Sequence, residues 1–240
     1  MTPGGSGTID VHLQMPVTSC CSAFDEAVDR QFSEKRAAEE LARYRQNGPG
    51  PTTRLLLEGL AISGGVNGTL LDIGAGVGSL TFALLEQGVD RAVGVDASAA
   101  YVAAAREEAE RRNRTASTQF VHGDFVQVAA HVPVADLVTL DRVVCCYPLL
   151  EPLLEEALRH TARCIALSYP RDTWYVRAAL AAENGGRRLM RNPFRTFVHP
   201  VAAVEQIVQH AGFELAHRSE TWMWRADVYV ARPSETPATT

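Results

Sequence analysis

The sequence predicts an α/β fold: a seven-stranded, mostly parallel sheet with helices on both faces, a final antiparallel hairpin, and helices before the first strand. Three observations carry that expectation. Short apolar runs alternate with amphipathic stretches from about residue 50 to residue 232, the order that builds parallel strands joined by helical crossovers. With 240 residues and 46% hydrophobic content, the chain can bury a substantial core in one such domain. At 74–78 the run GAGVG places glycines at alternate positions between an apolar run and a helical one.

Residues 1–22 are rich in glycine, proline and polar residues and are expected to form a flexible leader. Phe24, Val28 and Phe32 then fall four apart, and Ala37, Ala38, Leu41, Ala42 and Tyr44 continue the apolar face. Residues 23–50 are therefore expected to form one or two amphipathic helices stopped by GPGP. Such helices either close over a site as a lid or cover one sheet face. Thr52 or Thr53 is expected to cap a helix reaching residue 62, and 63–68 loops into the first strand, 70–73. A helix over 79–86, a strand over 91–95 and a helix over 97–113 follow, the last with Tyr101, Val102 and Ala105 inward. The third strand, 118–121, ends at Gly123, Asp124 and Phe125, and the fourth, 136–140, runs into DRVVCCYP at 141–148. Next come a helix over 149–161, a strand over 164–168 and a helix over 173–183. Residues 183–200 read as a long excursion carrying five ionisable donors, Arg187, Arg188, Arg191, Arg195 and His199, and loops of that length are usually functional. A helix over 201–211 and strands over 213–219 and 226–231 complete the domain, assigned to 51–232, with Trp222, Met223 and Trp224 packing at an edge and 233–240 a disordered tail.

A strand that feeds a glycine turn and then a helix points backbone N–H groups and a positive helix end at whatever lies above the strand tip. That is a nucleotide or cofactor site. Ser79 stands where a dinucleotide fingerprint needs its last glycine, and no G-K-[ST] follows for a phosphate loop. Asp96, at the next strand tip, is placed to accept both hydroxyls of a ribose. LDIGAGVG, then VGVDAS, then VHGDF resemble the motifs of class I S-adenosylmethionine-dependent methyltransferases, over roughly residues 50–232. The resemblance implies S-adenosylmethionine as cofactor. It implies contacts from Asp72, Gly74, Ala75, Gly76, Asp96, Ala97, Gly123 and Asp141, with Asp124 accepting from the adenine amino group and Phe125 packing near the ring. In the lid reading, Tyr44 or Arg45 lies near the methionine end of the cofactor.

The loop at 141–148 leaves the sheet where, by the same resemblance, the methyl group meets its acceptor. Arg142, Cys145, Cys146 and Tyr147 are the substrate-binding candidates there, joined by Arg191 and Arg195 for an anionic acceptor. Asp141, Tyr147 and His199 are the candidates for a catalytic base, histidine being best poised near neutral pH. An ionised carboxylate, an amine or a thiolate needs no base. The N/D-P-P-Y motif for base and amide nitrogens is absent, which counts against DNA adenine and glutamine methylation. FDEAVDRQFSEKRAAEELARYRQNGP together with DRVVCCYP is similar to magnesium-protoporphyrin O-methyltransferases, which esterify a tetrapyrrole propionate.

A formal charge of −5 without a basic tract gives no footprint for nonspecific duplex binding. A small-molecule substrate is expected, and nucleic acid is not. The chain shows no apolar run of about 18 residues and no signal sequence, so a cytoplasmic protein without a membrane span is expected, a monomer or homodimer. Five cysteines without C-x-x-C spacing argue against a disulfide framework and a structural zinc site, and no metal is expected. Methylation of a soft metalloid or thiol, of RNA or of protein, and nucleoside binding without catalysis remain as alternatives.

Overall fold

The computed structural model describes residues 27, 28 and 30–233. The expected leader, 1–22, with Cys20 and Cys21, lies outside them, as do residues 234–240 of the expected tail. One seven-stranded sheet organises the rest: β1 (Gly68–Ile73), β2 (Val89–Asp96), β3 (Thr118–His122), β4 (Ala135–Asp141), β5 (Thr161–Pro170), β6 (Phe213–Glu220) and β7 (Trp224–Ala231). Their order is β3-β2-β1-β4-β5-β7-β6. β7 runs antiparallel to both β5 and β6, and the other pairings are parallel. The chain winds outward from β1 to β3, then restarts at β4 and winds the other way. The switch point between β1 and β4 is where an open α/β sheet leaves a crevice at its carboxyl edge.

Eight helices of the described residues flank the sheet: α1 (Glu34–Asn47), α2 (Pro51–Ile62), α3 (Ser79–Gln87), α4 (Ala99–Arg111), α5 (Phe125–Val128), α6 (Leu150–Arg159), α7 (Trp174–Leu189) and α8 (Val201–His210). Neighbouring strand residues are buried on opposite faces. Leu70, Leu137, Cys164, Ala166 and Val228 pack with α2, α3 and α4, whereas Leu71, Val138, Ile165, Leu167 and Tyr229 pack with α6 and α8. Burial on both faces explains why these strands read as unbroken apolar runs. Asp72 is fully buried inside this core, accepting from the Thr81 hydroxyl at 2.6 Å and the Thr139 hydroxyl at 2.7 Å. It ties β1 to α3 and β4, and burial pushes its carboxyl up to about 6 against those two hydrogen bonds.

Three local expectations need correction. Gly50, and neither Thr52 nor Thr53, is the N-cap of α2, because Pro51 takes the first helical position, where its missing N–H costs nothing. The helix expected to stop at 183 runs on to Leu189 through Gly185 and Gly186. Each glycine weakens a helix interior by about 1 kcal/mol relative to alanine, but the Glu183–Arg187 pair one turn apart and the Asn184 contacts to Thr196 hold this turn. The long excursion thus shrinks to 190–200. It leaves the helix at Arg191, whose φ of 54° is left-handed.

Candidate active site

A cavity of about 360 Å³ opens at the carboxyl edge, over the β1/β4 switch point, within the size range of small-molecule sites. Its floor begins at Gly74 and Gly76, both left-handed with φ of 67° and 58°. A side chain at Gly74 would put its Cβ 2.3 Å from Val143 Cγ2, so the glycine lets the loop after β4 close down on the tip of β1. The Gly76 N–H and the Ser98 N–H each donate at 2.8 Å to one oxygen of Asp96. Partial burial at the end of β2 pushes this carboxyl up to about 6, opposed by those two backbone donors. Asp124 caps α5 by accepting from the Val126 N–H, and its other oxygen accepts from the Tyr147 hydroxyl at 2.9 Å. Phe125 is buried beside it.

The tip of β4 forms the opposite wall. Asp141 accepts from the Thr53 hydroxyl at 2.6 Å and the Ser168 hydroxyl at 2.5 Å, so α2 and β5 fix both its oxygens. Arg142 follows with a φ of 61°, a strained conformation for a long side chain. It turns the guanidinium to lie 3.6 Å from Glu40 and 3.9 Å from Asp141, beyond hydrogen-bond reach of either acid. Glu40 itself accepts from the Tyr101 hydroxyl at 2.8 Å. Cys145 and Cys146 sit in a 3-10 turn, Val144–Cys146, with sulfurs 3.7 Å apart. The Cys145 thiol is held up by its bond with Cys146 and by burial; Cys146 is lowered through the same bond, with Arg142 and Arg187 adding to it. The far end is apolar, with Phe32, Leu180, Phe194, Met223 and Trp224.

The structure brings most of the sequence-nominated residues together. Gly74, Gly76, Asp96, Ala97, Gly123, Asp124 and Phe125 line one half of the cavity, and Asp141, Arg142, Cys145, Cys146 and Tyr147 line the other. Others fall elsewhere. Ala75 and Asp72 are buried behind the lining. Tyr44 is buried under the Arg112 guanidinium, 5.0 Å from its ring centroid, and Arg45 pairs with Glu107 and Glu108, so both anchor α1 to α4 away from the cavity. Arg191 is exposed, and Arg195 donates to the carbonyls of Asn192 and Phe194 in its own loop. His199 lies 3.0 Å from the Tyr147 carbonyl and stacks on Phe197, where it braces the loop rather than facing the cavity.

Several lining residues were not nominated, Val28, Gln31, Arg36, Glu40 and Thr196 among them, whereas Arg187, one of the five donors expected near an anionic acceptor, does line the cavity. The N-terminal segment reaches the cavity with residues 28–40, a turn or more earlier than Tyr44. The Ser98 hydroxyl donates to the Phe32 carbonyl at 2.8 Å, and the Phe32 ring meets Tyr101 and Phe194 edge-on. The spacing of Val28 and Phe32 marked an apolar face, but not which neighbour it would cover. Arg187 stands over Phe194 and is spoken for by Glu183, Asn184 and Thr196. Met223 and Trp224, expected only as edge packing, also reach the cavity because β7 starts directly beside the end of β5.

Residues 70–166 match a family model described as a methyltransferase domain. Among solved structures, the chain is similar to magnesium protoporphyrin IX methyltransferase from Synechocystis PCC 6803 with bound SAH. That match has a TM-score of 0.67 and 21% identity over 87% of this chain and 100% of the other. An O-methyltransferase family protein from Burkholderia thailandensis matches with a TM-score of 0.66 and 13% identity, over 88% of this chain and 63% of that one. At such identities the likeness is one of fold. A ribosomal protein L11 methyltransferase from Geobacter metallireducens is 38% identical over 98 residues, 39% of this chain. The chain spans only about a third of that relative, 32% of its length.

Proposed function

We propose that this chain, whose residues 70–166 match a methyltransferase-domain model, binds S-adenosylmethionine and methylates a small molecule bearing an acidic group. The cavity suits the cofactor on its own geometry. Gly74 and Gly76 take the left-handed backbone that turns the chain at the β1 tip, Asp96 offers a carboxylate held by two backbone N–H groups, and Asp124 and Phe125 offer an acceptor beside an apolar face. Bound there, S-adenosylmethionine supplies an already activated sulfonium methyl, so what remains for the protein is chiefly to hold a nucleophile close and in line.

Arg142 is the observation that carries the acidic acceptor. It lines the cavity at the β4 tip, and neither Glu40 nor Asp141 lies within hydrogen-bond distance of it, so its donors can turn to a carboxylate in the fork geometry guanidinium favours. Arg187 adds positive charge from the next wall while its own donors stay with Glu183 and Thr196. No histidine lines the cavity among the described residues. A carboxylate acceptor fits that lining, since it attacks without giving up a proton. Asp141 and Tyr147, nominated as bases, act in this reading as fixed supports, one held by Thr53 and Ser168 and the other bound to Asp124.

The test is direct. The full chain, supplied with methyl-labelled S-adenosylmethionine and a panel of carboxylic acids paired with their amides, should add one CH₂ to members of the acid set, read by mass spectrometry. Equal labelling of acids and amides, or none of either, would overturn the reading. Among the described residues no helix is long and apolar enough to cross a membrane.

A further inference from the structure

We propose that Cys145 and Cys146 form a chelating dithiol site, inside the acceptor half of the cavity, for trivalent thiophilic compounds of the type R–As(OH)₂. Adjacent residues in an extended strand point to opposite faces, so neighbouring cysteines do not normally present both sulfurs to one ligand. Here they do. The 3-10 turn at Val144–Cys146 brings both thiols onto the Arg142 carbonyl, Cys145 Sγ at 3.3 Å and Cys146 Sγ at 3.2 Å, and leaves the sulfurs 3.7 Å apart. Two backbone bonds keep the turn in place: the Cys146 N–H donates to the Val143 carbonyl at 2.8 Å, and the Phe197 N–H donates to the Cys145 carbonyl at 2.7 Å. Both residues line the cavity, Cys146 being the more open of the two.

The separation decides the ligand class. It is well beyond the ~2.05 Å of a disulfide, and it suits one atom bonded to both sulfurs. Among the described residues no third histidine, cysteine or carboxylate joins the pair in a metal-holding group. That removes a tetrahedral structural zinc, which takes four protein ligands. A soft centre that needs only two protein sulfurs, and brings its own third substituent, matches what is present. The condensation balances without any oxidant or reductant: two S–H and two As–OH bonds give two As–S bonds and two waters, and arsenic stays trivalent. Cys164 cannot compete. It is buried and stands alone on β5, and burial holds its thiol up at about 12.

An R–As group seated there would fill the space beside Arg142 and Tyr147 and leave the wall at Gly76 and Asp96 open. The inference rests on the cavity's geometry and stands apart from the methyl-transfer reading. Cys20 and Cys21 make a second adjacent pair in the sequence, so the test uses the full chain carrying Cys20→Ser and Cys21→Ser. Treated with phenylarsine oxide, this protein should take up one arsenical per chain in native mass spectrometry. A dithiol such as 2,3-dimercaptopropanol should strip the adduct, whereas a monothiol at equal thiol concentration should not. Adding Cys146→Ser, a change at the more open position, should raise the half-saturating concentration at least about 100-fold through loss of the chelate. S-adenosylhomocysteine should still bind the adduct one to one in calorimetric titration. Absence of an adduct, an adduct that survives Cys146→Ser, or loss of S-adenosylhomocysteine binding on arsenical uptake would each overturn the site.

Discussion

The two halves of the cavity are built on different principles. The half around Gly74, Gly76, Asp96 and Asp124 comes from three successive strand ends, and its key contacts are backbone ones, such as the Gly76 and Ser98 N–H groups on Asp96. The half around Arg142 and the two cysteines is assembled from side chains far apart in the chain: Phe32 and Glu40 before the first strand, Arg187 and Phe194 after the fifth, and Trp224 at the start of the last. A site made of turns is fixed by local sequence. A site made of converging side chains can change its ligand without disturbing the sheet beneath.

That contrast can be broken at its seam, where the N-terminal segment is pinned to the cofactor half. Glu108 on α4 is fully buried and holds Arg45, Arg111 and Arg112. Burial alone would push its carboxyl up, but the hydrogen bonds from Arg111, Arg112 and Arg45 outweigh this and hold it at about 2. Glu108→Gln should cost about 3 kcal/mol of stability in urea denaturation, the low end for breaking a buried ion pair, since its arginines keep some access to water. Because the folded-state pKa is depressed, the stability Glu108 contributes is present above the ordinary glutamate range and is lost as pH falls toward 2. A stability unchanged by the substitution would mean that α1 is not anchored through this residue.

A smaller effect, confined to the acceptor half, is expected at Arg142. Arg142→Met should raise the apparent KM for an acidic acceptor about 10-fold or more, as loss of a charged hydrogen bond costs about 1.5–3 kcal/mol. Binding of S-adenosylhomocysteine should change much less than this KM. If both fall together, the two halves are not separable. Smaller still is Tyr147→Phe, which removes the hydroxyl that bridges the halves at Asp124. It should weaken S-adenosylhomocysteine binding by roughly fivefold, the scale of about 1 kcal/mol for losing a bond that positions Asp124 rather than one made to the ligand itself, as read by calorimetry. The mildest test concerns the lid reading of the N-terminal segment. S-adenosylhomocysteine should slow proteolysis between residues 28 and 40, and equal cleavage with and without it would count against closure.

The sequence made the convergence of Gly74, Asp96 and Asp124 at neighbouring strand tips legible because its signals are short-range. Glycines at alternate positions, then an acid at the next strand tip, then Gly123–Asp124–Phe125, each mark a turn whose backbone the residues themselves dictate. The seven strands were legible for a related reason, being buried on both faces and so apolar without interruption. The acceptor half was legible only where a loop left a strand tip, at 141–147. Tyr44 and Arg45 were expected near the cofactor from their place before GPGP, yet Arg112 and Glu108 draw them onto α4, a partnership separated by more than sixty residues. Arg187 was expected on a long loop because the paired glycines at 185 and 186 read as the end of a helix that in fact continues. Thr53 looked like a cap and is instead a donor to Asp141. In each case the partner that decides the outcome lies far away in the chain.

The central claim is that Asp96 at the tip of β2 is the ribose-holding carboxylate of an S-adenosylmethionine site, and one set of calorimetric titrations tests it most directly. S-adenosylhomocysteine should bind the parent chain one to one, and Asp96→Asn should weaken it about 100-fold, the worth of two hydrogen bonds to a charged group. The pH dependence sharpens the outcome. Because burial raises Asp96 to about 6 in the free protein, acidification through that value should protonate it and weaken binding in the parent but not in Asp96→Asn. The same raised pKa has the opposite sign for folding, so the contribution of Asp96 to the stability of the free chain should be lost as pH rises through about 6. S-adenosylhomocysteine binding that ignores both the substitution and the pH would contradict the assignment, and binding of NADH with none of S-adenosylhomocysteine would contradict the whole account.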